Sequence, residues 1–102
     1  MNKLDGNCEC KEVSFEINQE IKYFSHCHCS QCRRCHGSAF ASFIEVEKSL
    51  FQYKSGTKKI KSYSSSEHCE RMFCEICGSN IMFFNKNKPE KYYVSVGTIN
   101  GN

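Results

Sequence analysis

The stretch Cys27-His28-Cys29-Ser30-Gln31-Cys32-Arg33-Arg34-Cys35-His36-Gly37 decides how this chain is read. Four cysteines in nine residues, with two histidines and two arginines among and beside them, are too dense to pack as small apolar side chains. Thiols at that density oxidise or bind metal. Cysteines one or two residues apart gather readily around a single ion, whereas such near neighbours rarely satisfy unstrained disulfide geometry. Two further groups flank the stretch, Cys8-Glu9-Cys10 near the start and Cys74-Glu75-Ile76-Cys77 near the end. Cys8, Cys10, Cys74 and Cys77 make a complete four-sulfur set drawn from distant parts of the chain, as a closed structural zinc site requires. Cys27, Cys29 and Cys32 make Cys-x-Cys-x-x-Cys, one ligand short of a closed shell. The fourth position is open to water, to a substrate thiol, or to a side chain from among His26, His28, Cys35, His36 and Cys69.

A chain of 102 residues has room for one domain, taken as 1–102, and a domain of this size hides only a modest share of its apolar surface. Nine cysteines supply the extra stabilisation, and their odd number favours metal over disulfides. The segment Met1 to Cys8 has no apolar core and no small-residue cleavage site, so a reducing cytoplasm is the expected compartment. No apolar run approaches the roughly 20 residues that cross a bilayer. The formal charge of +3 counts cysteines as neutral, and thiolates on two zinc ions would bring it near zero, so the basicity is a weak argument for nucleic acid. Lys54, Lys58, Lys59 and Lys61 are the one candidate strip for such binding. Lysines on a sheet edge are more often a solvated face that discourages aggregation.

Alternation at Val13, Phe15 and Ile17 predicts a half-buried strand over 11–17, and 21–26 reads as a second strand forming a hairpin with it. Gln31 to His36 predicts one helical turn ended by Gly37. Ser38 to Val46 suits a central strand, 48–53 a turn or short strand, and Ser55-Gly56-Thr57 a turn. Lys59 to Tyr63 alternates again and Ser64 to Ser66 is a polar loop. Strands over 68–73 and 80–85 enclose the Cys74 to Gly78 turn, in the layout of a zinc knuckle. Arg71, just ahead of that knuckle, is expected to offset thiolate charge there. A turn over 85–90 and a last strand over 92–96 complete an all-β domain of small antiparallel sheets with little helix.

A three-sulfur zinc with an open position can bind an incoming thiol as thiolate and polarise a carbonyl oxygen. That suits addition of a thiol to an aldehyde, or the reverse cleavage, with Cys27, Cys29 and Cys32 as the reactive ligands. His28, His36 and Glu67 are the candidate proton carriers. The bland readings stand beside it: a second structural zinc, exposed loop histidines, and spare thiols at Cys35 and Cys69.

At several places the residues resemble the family of glutathione-dependent formaldehyde-activating enzymes and centromere protein V. The matching segments are Gly6 to Cys10 with Val13 to Ile17, Cys27 to Arg34, and Gly37 to Phe40. Tyr63 to Ser66, Arg71 to Ser79 and Val94 to Ile99 extend the match to nearly the whole chain. Lys11 departs from it, standing where the family usually has glycine. The resemblance implies a fold shared with a guanine-nucleotide-exchange chaperone and methionine sulfoxide reductase B. It further implies a structural zinc on Cys8, Cys10, Cys74 and Cys77, and a reactive one on Cys27, Cys29 and Cys32. The implied activity is a carbon-sulfur lyase reaction joining glutathione and formaldehyde as S-hydroxymethylglutathione, or splitting the adduct. The alternative is a non-catalytic zinc-stabilised binding or scaffold module, favoured if a fourth protein ligand such as Cys35 seals the second site.

Overall fold

The computed structural model describes residues 3–21 and 23–101. Its strands are β1 (Leu4–Asn7), β2 (Ser14–Ile17), β3 (Phe24–Cys27), β4 (Ala41–Glu47), β5 (Phe51–Ser55), β6 (Ile60–Ser64), β7 (Cys69–Cys74), β8 (Asn80–Asn85) and β9 (Lys91–Ser95). A single short helix, α1 (Ser30–His36), follows β3. The strands form two antiparallel sheets, ordered β1-β2-β5 and β3-β4-β9-β8-β7-β6. The protein is thus mostly β, as its aromatic and β-branched runs require.

Val13, Phe15 and Ile17 are all buried, so the alternation reads the inner face correctly, although the strand β2 itself begins only at Ser14. Burial of these side chains against the larger sheet makes the main core. Phe15 stacks on Phe51 at 5.1 Å, and Phe51 meets Tyr92 of β9 edge-on at 5.4 Å, joining the two sheets. Ile44, Val46, Ile81, Met82 and Val94 fill the core from the other side. A smaller cluster of Cys32, Ala41 and Phe43 lies beneath α1.

One expectation is corrected, and one strand is added. β2 and β3 do not form a hairpin: β2 pairs with β1 and β5, whereas β3 pairs with β4, so the chain changes sheet between them. Lys22, part of the strand expected over 21–26, lies outside the described residues. β1 was not foreseen, because Asp5-Gly6-Asn7 has the composition of a turn. Gly6 serves close approach instead: a Cβ there would lie 2.4 Å from both the Phe15 ring and the Thr98 carbonyl oxygen. The alternation at Lys59 to Tyr63 marks β6, an edge strand exposed along most of its length.

Candidate metal centres

Two tight turns build the four-sulfur group. After β1, Cys8 begins a turn closed by the Lys11 N–H on the Cys8 carbonyl at 3.1 Å. At the end of β7, Cys74 begins a second turn, closed by the Gly78 N–H on the Cys74 carbonyl at 2.8 Å. Gly78 takes φ 79°, the left-handed conformation that glycine adopts without a Cβ penalty. Ser79 ties the turns together: its hydroxyl oxygen accepts from the Glu9 N–H at 3.0 Å and lies 3.2 Å from the Cys77 sulfur. Cys8 and Cys74 are wholly buried in the main core, while Cys10 is exposed and Cys77 half-buried.

All four sulfurs lie within 4.8 Å of one another, with Cys8 to Cys10 at 3.5 Å and Cys10 to Cys74 at 3.8 Å. Zinc-sulfur bonds near 2.3 Å place the corners of a tetrahedron about 3.8 Å apart, so the set fits such an ion. The Ser79 hydroxyl, with the Cys10 and Ser79 N–H groups, draws the Cys77 thiol down to about 5. At Cys10 the Glu12 N–H favours thiolate, but burial and the sulfurs of Cys8, Cys77 and Cys74 push it up to about 12.

Lys11 occupies φ 67° in the first turn, where a Cβ is strained. The position explains why glycine would be preferred there. Lys11→Gly is expected to stabilise the protein by about 1 kcal/mol, read as a higher midpoint in denaturant titration at unchanged slope.

The three-sulfur group lies where β3 hands over to α1. Cys27 ends β3, Cys29 is the N-cap, and Cys32 sits in the first turn of the helix. The Cys29 sulfur accepts from the Cys32 N–H at 3.4 Å and lies 3.3 Å from Cys27. Gly37, at φ 61°, caps the other end, as its position after His36 predicts. The Cys32 N–H, with the sulfurs of Cys27 and Cys32, draws the Cys29 thiol down to about 7. Burial pushes Cys32 up to about 12 against the pull of Arg71.

These three sulfurs also lie within 4.8 Å of one another. Among the described residues no further Cys, His, Asp or Glu joins them at that spacing, so neither Cys35 nor Cys69, His26, His28 or His36 completes the set. His26 and His28 flank the exposed ring of Phe40, at 4.9 and 5.3 Å between centroids. His36 packs edge-on against Phe43, and burial, followed by the charge of Arg71, lowers its pKa.

Arg71 does not serve the knuckle that it precedes. It lies three residues before Cys74 on β7, and its Nη2 donates to the Cys32 sulfur at 3.4 Å and to Gln31 Oε1 at 3.2 Å. Its guanidinium stands over the Phe83 ring at 5.1 Å. It is 6% exposed, and among the described residues it forms no ion pair with a carboxylate. A buried cation without a carboxylate needs another source of negative charge, and thiolates at the three-sulfur group are the one at hand. The donor chemistry therefore fits a metal at both groups. An arginine in a strand beside Met72 and Phe73 is the sequence signal for this contact; nearness in sequence to Cys74 points to the wrong cluster. Of the lysine strip, Lys54 pairs with Glu16 at 3.3 Å.

A small two-sheet protein with one cysteine cluster on paired tight turns and another at a strand-to-helix junction defines a class of cysteine-clustered β domains. Within it, the chain belongs to the family described as glutathione-dependent formaldehyde-activating enzyme, whose profile matches residues 3–102. It is 31% identical over 101 residues to a Schizosaccharomyces pombe protein described as an uncharacterized lyase, covering 99% of this chain and 72% of that one. Its fold is similar to the crystal structure of a Rhodobacter sphaeroides protein, with a TM-score of 0.77 and 26% identity over 96% of this chain and 89% of that one. No helix among the described residues is long and apolar enough to cross a membrane.

Proposed function

We propose that this chain is a zinc-dependent carbon-sulfur lyase, a single domain over 1–102 that joins a small thiol to a small aldehyde or splits the adduct. Cys8, Cys10, Cys74 and Cys77 hold a structural zinc, and Cys27, Cys29 and Cys32 hold the reactive one. The observation that carries the reading is the three-sulfur group without a fourth protein donor among the described residues, set beside a complete four-sulfur group. Zinc held by three thiolates would supply a site for a substrate thiolate and a Lewis acid for a carbonyl oxygen.

The chain's own part is to keep the ligands ready. The first turn of α1 holds Cys29 as a hydrogen-bond acceptor, and Arg71 holds Cys32. In the forward direction the thiol S–H bond breaks, the sulfur forms a bond to the carbonyl carbon, the carbonyl π-bond breaks, and the oxygen takes up a proton in place of the one the thiol released, so that thiol and aldehyde add without loss of any atom. The product is a hydroxymethyl thioether when the aldehyde is formaldehyde. Glutathione and formaldehyde are the pair that the family description supports. Nine unpaired cysteines accord with a reducing cytoplasm.

The test is titration of the cobalt-substituted protein with glutathione, followed by adduct formation with formaldehyde. A thiolate-to-cobalt band that grows with glutathione, and an adduct rate above the spontaneous one, are expected. A cobalt spectrum indifferent to thiols would instead favour the scaffold module.

A further inference from the structure

We propose that Arg71 is the positioning residue that sets the ligand preference of the three-sulfur centre, making it select an anionic fourth ligand over a neutral one. The inference rests on the metal reading of that centre. Arg71 lies in the middle of β7, opposite Tyr63 of β6 and Phe83 of β8. Both neighbouring strands fix its backbone, and the Phe83 ring supports its guanidinium from one side. Gln31 is locked in turn, with its amide nitrogen donating to the Ser65 carbonyl at 3.1 Å and its oxygen turned to Arg71. The cation is therefore held against the buried Cys32, while Cys29 is exposed.

Three thiolates around a divalent cation leave one net negative charge. A water or imidazole in the fourth position preserves that charge, whereas a thiolate adds another. Arg71 cancels one unit through a charge-assisted contact that salt screens little, because the group is buried. Both states gain from it, and the state with the extra charge gains more. A purely structural arginine would change stability, or the affinity for every ligand alike. Arg71 changes the ratio between ligand classes.

Thiocyanate and imidazole, titrated into the cobalt-substituted full chain, read that ratio from the d–d bands. Arg71→Met keeps side-chain length and removes the charge, and is expected to lower the thiocyanate-to-imidazole affinity ratio at least about tenfold, within the range of one lost charged hydrogen bond. Arg71→Lys should restore most of it. Gln31→Glu, which leaves the arginine in place and pairs it with a carboxylate, should lower the ratio too, and covers the case in which Arg71→Met does not fold. Equal ratios in wild type and the folded charge-altering variants would overturn the inference while leaving the proposed function intact. A wild-type three-sulfur centre that takes up no cobalt, or whose bands ignore both ligands, would overturn the proposed function and this inference with it.

Discussion

Cys77→Ser is expected to abolish the cooperative thermal transition and leave a chain without fixed aromatic packing, visible as loss of the near-ultraviolet circular dichroism. The cause is the position of the four-sulfur group. Cys8 and Cys74 are at 0% exposure inside the same core as Phe15, Ile44 and Val94. Zinc bound to such a set contributes on the order of 10 kcal/mol, which is comparable with the whole stability of a small domain. A three-sulfur remnant would hold the ion more weakly and leave facing thiols in the core. Chelation of the wild-type protein should produce the same state, reversed by zinc.

Cys29→Ser has the opposite profile. Serine is a good N-cap, so its hydroxyl can take over the Cys32 N–H and keep α1 in place. Cys29 is exposed and packs in neither core. The variant is therefore expected to keep a cooperative transition, at a midpoint lowered by loss of the second zinc, because the four-sulfur group that closes the main core is untouched. It should nevertheless lose at least about a thousandfold in thiol-aldehyde turnover, the scale on which a metal Lewis acid acts. Calorimetry and an adduct assay on one preparation check both halves.

Much of this was legible in the residues because cysteine spacing constrains geometry so strongly. Cys8-x-Cys10 and Cys74-x-x-Cys77 indicate paired knuckles, and the structure brings all four sulfurs together. The strand from Asn80 to Asn85 and the helix ending at Gly37 fall where apolar runs and turn residues place them. What escaped depends on contacts between distant segments. Nothing local in Asp5-Gly6-Asn7 says that Gly6 will lie against the Phe15 ring. Similarly, the patterns over 11–17 and 21–26 suit a hairpin, and only the packing of two sheets separates them. Arg71 is the most instructive case: β7 ends on Cys74 of the four-sulfur group and, three residues earlier, carries the arginine that contacts Cys32 of the other group.

The most direct test of the two-centre account is zinc stoichiometry combined with X-ray absorption at the zinc edge, on wild type and Cys29→Ser. Wild type should carry two zinc ions per chain, one in an all-sulfur shell and one with three sulfurs and a lighter fourth ligand that added thiol replaces. Cys29→Ser should retain the all-sulfur zinc alone. One zinc held by Cys27, Cys29 and Cys32 alone, or two closed four-sulfur shells that ignore added thiol, would contradict it.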